Sequence, residues 1–449
     1  MQSPTSAARV AISTLVVGSL YLWVGQAMAV VPHGCQPKSN WFPHSATPEP
    51  DNAGFGSTNN CEFHQWSWQM FLWLTQKLGD GQPRFLSFAS PQALIGMNSR
   101  ALMPRKTKSA DAESLDEYLQ AGTDGIFVDQ NGRSVYYSQY VNPVYADFIT
   151  GHQLTDPAKV RAFEPGTPFP IGSLEIKASW KILTPGEKPE GRFTMRGEVA
   201  NLVHKGGKIV TDPKQTENVT LALVGFHIGG IVKGHPEMIW ATFEHSGNAP
   251  NVAANPTPQR IVSDRDWTFY RAGTPYKACN VNPASSSLLQ LDQATQKLSP
   301  ITQACREFEF GNDPDRPKDR IKSMQLNDQN IASLNKQTRY RLQQSSDVWA
   351  NYFEVGAIWF RAIDGLKPGM ALATDDILTG SLKLSNATIE TFTQTQSVMN
   401  NCFRCHNTMH RFPPQGNLDP LPALNINISH ALVNIYFWSQ QLQAAATAH

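Results

Sequence analysis

A strict alternation runs through Leu174–Leu183, where Leu174, Ile176, Ala178, Trp180 and Ile182 interleave with Glu175, Lys177, Ser179 and Lys181. A period of two predicts a β-strand with one buried apolar face and one wet polar face. Denser apolar runs, Val219–Val232 and Met238–His245, flank Lys233-Gly234-His235-Pro236-Glu237. Such runs predict strands covered on both faces, here a hairpin inside a central sheet. If its turn centres near His235, His227 and His245 fall on the same face, where they could form a metal site or approach a cofactor. Ile126–Val128 and Ser134–Tyr140, on either side of Asp129–Gly132, predict another hairpin, and Trp267–Tyr270 a short strand.

Elsewhere the period lengthens to that of a helix. Phe63, Trp66, Met70, Phe71, Trp73 and Leu74 recur at helical spacing over Glu62–Leu78, and Gly79-Asp80-Gly81 ends the run. His64 on this helix reads as structural. Short helices are expected around Ala112–Leu119 and, after Asn142-Pro143, at Tyr145–Ile149. From Asp328 the helical period returns with Ile331, Leu334, Thr338 and Leu342, then continues through Val348, Trp349, Tyr352 and Phe353 toward Phe360. The expected class is α+β: a β-rich antiparallel core flanked by helices over residues 30–320, then a helical region over 321–449.

Residues 1–29 have the layout of a cleaved signal peptide. Arg9 precedes the apolar stretch Val10–Val24, and Ala27-Met28-Ala29 follows as a small-x-small cleavage site. The apolar stretch is short for a membrane span. The expectation is a periplasmic chain with no stable membrane anchor. Lys and Arg total 38 against 37 Asp and Glu, with no basic stripe, so no nucleic-acid partner is expected.

Compartment matters for the six cysteines. Cys402-Phe403-Arg404-Cys405-His406 is the attachment pattern of a c-type haem. Two thiols on one helical turn can form thioethers to one porphyrin, and the adjacent His406 can bring a nitrogen to the iron as proximal ligand. Zinc would need two further ligands nearby, and a catalytic dithiol would be expected at a helix start within a βαβ pattern that is missing here. Cys35, Cys61, Cys279 and Cys305 remain. In an oxidising compartment they favour two disulfides, for which three connectivities exist and local pairing is the simplest; buried thiols are the alternative.

The sixth iron position stays open. Met409 and His410 lie within about one turn of His406 and share its side of the ring. Candidates are His430, Met399, Met370, His227 and His245, or the iron is five-coordinate. His430 is the candidate kept, against a plainer role as the first residue of the last apolar helix.

Three stretches carry a resemblance. They are Phe169–Trp180, Val224–Ile228 with Ile239–His245 and Asn248-Ala249-Pro250, and Leu384–Phe392 just before the cysteines. In these the chain resembles a family of large bacterial periplasmic proteins of cytochrome c type with one Cys-x-x-Cys-His near the C-terminus. The resemblance spans roughly residues 60–440 in patches and implies one covalent haem c. Where such relatives carry an aromatic-Ser-Phe stretch, this chain has Asn427-Ile428-Ser429-His430.

The expected function is electron transfer through Fe(II)/Fe(III) cycling with a periplasmic redox partner protein. The alternative is a haem-dependent oxidoreductase with an open iron position, since a lone shuttle does not need about three hundred further residues. A third reading makes the β-rich region a docking module.

Overall fold

The computed structural model describes residues 35–44, 60–96, 113–115, 117–123, 125–283, 288–313, 320–361, 377–396, 401–408 and 428–447. The strands are β1 (Glu113–Leu115), β2 (Tyr136–Val141), β3 (Leu174–Leu183), β4 (Thr194–Lys205), β5 (Lys208–Val232), β6 (His235–His245), β7 (Gln290–Asp292), β8 (Lys297–Ser299), β9 (Tyr352–Phe360) and β10 (Leu378–Gly380). The helices are α1 (Asn60–Thr75), α2 (Pro91–Leu94), α3 (Pro143–Gly151), α4 (Pro157–Arg161), α5 (Ile321–Gln344), α6 (Cys402–Cys405) and α7 (His430–Thr447).

Eight strands form one sheet in the order β1-β4-β5-β6-β9-β10, with β3 also pairing β5 and β2 pairing β3. Among the described strands only the β1–β4 pair is parallel, so the class is α+β with an antiparallel core. β5 organises the sheet because its 25 residues are long enough to meet β4, β3 and β6 in turn. β7 and β8 make a separate two-stranded ribbon.

The alternation in β3 sets one face of the sheet. Leu174, Ile176, Ala178, Trp180 and Ile182 are buried in a cluster with Phe63, Trp66, Phe71 and Leu74 of α1 and Leu334 and Leu342 of α5. Each large side chain removed from water there contributes roughly 1.5–3 kcal/mol. The other face differs from expectation. Glu175, Ser179 and Lys181 are buried rather than wet, because further chain covers them. α3, α4 and α7 pack over Val141, Ile231, Met238 and Trp240, and Ala387, Ile389 and Phe392 pack with Tyr137 and Val224. Lys181 is compensated by Asp129 at 2.8 Å and Glu187 at 2.8 Å, the condition under which a buried charge is tolerated.

Further sequence expectations change. Tyr352–Phe360 is not a continuation of helix α5 but strand β9, placed between β6 and β10. β9 and β10 belong to the same sheet as β2–β6, and the described residues from Cys35 onward form one compact unit, so the sheet takes strands from both sides of residues 320/321. Glu113–Leu115 is a strand against β4 rather than helix, and Trp267–Tyr270 closes on itself through a single bridge. Cys35–Cys61 and Cys279–Cys305 are the two disulfides, each the local pairing. Among the described residues, no helix is long and apolar enough to cross a membrane.

Candidate functional site

Helix α6 is only four residues long and is held from outside. Asn401 caps it, its side chain accepting from Arg404 N at 3.2 Å while its Nδ2 donates to Leu382 O at 3.2 Å. Phe403 is buried, with its ring 4.8 Å from that of Phe360. With Phe403 turned into the core, Cys402 and Cys405 line a cavity of about 250 Å³ together with His406. Both cysteines stand outside the two disulfides. Burial, then the negative charge of Glu390, pushes the Cys402 thiol well up. An attacking dithiol uses the opposite shift.

His406 is positioned on three sides. Its Nδ1 donates to Ile428 O at 2.5 Å, which leaves the lone pair on Nε2. A bond of this kind from the non-ligating nitrogen is what orients a metal-bound imidazole. Its ring lies 3.8 Å from Trp240 and 3.7 Å from His430, centroid to centroid. Gly229, opposite Trp240 in the β5–β6 pair, makes room for the indole: a Cβ there would stand 2.7 Å from the Trp240 ring.

The cavity floor is the polar face of the sheet. Strand register sets Gln139, Lys177, His227 and Thr242 side by side across β2, β3, β5 and β6. His227 Nε2 donates to Glu390 Oε1 at 2.8 Å, and Asn386 N donates to Glu390 Oε2 at 2.8 Å. Lys177 pairs with Glu117 at 2.6 Å. Glu175 supports α7 from below: Ser429 Oγ and Ala431 N both donate to its carboxylate, and Ser429 Oγ accepts from Leu432 N. Burial raises the Glu175 carboxyl to about 7, with the bonds from Ser429 and Ala431 pulling the other way.

Of the residues singled out in the sequence, Cys402, Cys405, His406, His227 and His430 are brought to this one cavity. His430 stacks on His406 with rings 20° from parallel. His245 is elsewhere. His227 pairs with Thr242, so the β5–β6 register is one residue from that expected and sends His245 to the opposite face, where its Nδ1 accepts from Gly247 N. Met370, Met399, Met409 and His410 lie outside the described residues.

Sequence reasoning passed over Trp240, Ile428, Glu175 and Glu390. Trp240 lay in an apolar run that is itself one of the stretches carrying the resemblance, and Ile428 acts through its backbone. Glu175 and Glu390 lay within the stretches that carry the resemblance, but their placement depends on strands and loops distant in the chain.

Two thiols on one turn and an imidazole with a fixed tautomer, all lining one cavity, are the donor set that a covalently attached haem requires. Among the described residues, no group of three or more His, Cys, Asp or Glu side chains is placed to hold a bare metal ion. No protein-family model matches the chain, and neither the curated proteins nor the solved structures contain a match to it.

Proposed function

We propose that this chain is a periplasmic c-type cytochrome holding one haem through Cys402 and Cys405, with His406 as the proximal iron ligand, and that it transfers electrons between periplasmic partners. The observation that carries this reading is the His406 environment, with Nδ1 bound to Ile428 O next to two cysteines that open on the same cavity. The export signal, the two disulfides and the resemblance to cytochrome c proteins support it. Bound there, the haem supplies a one-electron Fe(II)/Fe(III) couple. The role of the chain itself is to hold the imidazole still, so that little rearrangement accompanies a change of charge. Trp240 and the Ile428 carbonyl restrict the ring, and Asn401 and Phe403 restrict the helix that carries the thiols.

A second reading, an oxidoreductase with an open iron position, is favoured by one observation. The His227–Glu390 pair lines the same cavity and is a group able to take and return a proton. Expression alongside a haem c maturation system tests the first claim. Wild type is expected to keep haem through denaturing electrophoresis, and Cys402→Ala/Cys405→Ala to lose all of it. Covalent haem in the double variant, or none in wild type, overturns the assignment. Carbon monoxide then separates the two readings: rapid binding to the reduced protein favours the open site, and no binding favours the shuttle.

A further inference from the structure

A second cleft lies away from the cavity of His406 and shares none of its lining residues. Its volume is about 690 Å³, within the range of about 300–1000 Å³ typical of small-molecule sites. Its lining brings together the aromatic rings of Trp267, Phe310 and Phe353 and the cations Arg306, Lys336 and Arg339. We propose that this cleft binds a small aromatic carboxylate, with its ring against the aromatic side chains and the carboxylate between Lys336 and Arg339.

The three cations are not equivalent. Arg306 is buried, its guanidinium lies 4.9 Å from the centre of the Phe353 ring, and it is neutralised by Glu244 at 2.5 Å. It therefore builds the floor without attracting a further anion. Lys336 and Arg339 lie three apart on α5 and so share a face. Neither makes an ion pair among the described residues. Arg339 Nε donates to Ala350 O at 2.8 Å, which fixes the plane of the guanidinium. No bond from its two terminal nitrogens joins the described residues, and a planar fork of this kind matches a carboxylate. Glu309 is the one acidic lining residue, and it is exposed, where water screens it.

The local field agrees with the geometry. Burial lowers Arg339, so its charge is poorly hydrated and an arriving anion would restore what water does not supply. After burial, Arg192 and Arg339 are the groups that push nearby His245 down to about 3. Trp267 Nε1 donates to Ser263 Oγ and the Arg265 guanidinium lies 4.0 Å over one face of its ring, so only the opposite indole face is left to serve as a wall.

Calorimetric titration of the full chain with 2-naphthoate, and with 2-naphthylmethanol as its uncharged counterpart, tests the proposal. Naphthoate is expected to bind at least about tenfold more tightly than the alcohol, a difference of about 1.4 kcal/mol. Lys336→Gln/Arg339→Gln should remove that preference, while Lys322→Gln, on an exposed position of the same helix, should keep it. Because Arg339 also bonds the backbone, Lys336→Gln alone serves as the milder variant and should weaken naphthoate about threefold. The proposal fails if naphthoate gives no saturable heat, if the alcohol binds as tightly, or if Lys336→Gln and Lys322→Gln behave alike.

Discussion

Glu175 shows how one residue can be read correctly in the chain and wrongly in space. Its place in the alternation puts it on the polar face of β3, yet it is buried beneath the start of α7 and takes bonds from Ser429 and Ala431. Its folded-state value of about 7 lies above the ordinary 4.5, so the folded protein holds the proton more tightly than the unfolded chain. The stabilisation is therefore fully present below about 4.5 and is lost as pH rises through about 7, by roughly 3 kcal/mol. Glu175→Gln removes the ionisation. Urea midpoints between pH 5 and pH 8 should fall for wild type and stay flatter for the variant, leaving the variant the more stable of the two at pH 8. Parallel curves would show that another group governs that window.

At the scale of elements, α6 carries Cys402 and Cys405 and has no stability of its own, because a single turn does not repay its nucleation entropy. Asn401 and Phe403 supply it from outside. Asn401→Ala should cost about 1 kcal/mol for the cap and about 1 kcal/mol more for the buried Leu382 carbonyl it stops bonding. Asn401→Ser keeps a capping oxygen but not the reach to Leu382, so its urea midpoint should fall between those of wild type and the alanine variant. Equal midpoints for the two variants would remove the cap from the account. The β5–β6 hairpin makes the converse point. Both strands were legible as apolar runs, but the turn at Lys233-Gly234 gives a register in which His227 faces Thr242. Moving that register by one residue would exchange the faces of His245 and its neighbours.

The two disulfides act on the whole molecule. Each closes a loop with a sequence separation of 26, and on chain-entropy grounds each contributes about 3 kcal/mol. Cys35–Cys61 ties residues 35–44 to α1, and His44 continues that attachment through Leu72 O at 2.8 Å and Asp347 at 2.9 Å. Cys35→Ser/Cys61→Ser should lower the urea midpoint measured without reductant, and adding reductant should shift wild type further than this variant. A midpoint equal to wild type would mean that the helix and His44 hold the arm unaided. At the same scale, β9 comes late in the chain but fills the place between β6 and β10, so the sheet draws strands from both sides of residues 320/321.

Whatever depends on neighbours along the chain was legible in the residues themselves. The bounds of β3, the existence of α1 and α5 and the Cys-x-x-Cys-His turn all follow from backbone periods of two and 3.6 and from short fixed spacings. Even the local cysteine pairing was available as the simplest of three. What covers each face was settled only in the packed fold. Packing placed Glu175 under α7, set Trp240 and His430 against the His406 ring, separated His245 from His227, and made a strand of Tyr352–Phe360. These outcomes rest on hydrogen-bond register and burial between segments far apart in the chain, and an apolar run such as 352–360 suits a helix or a buried strand equally until its partner arrives.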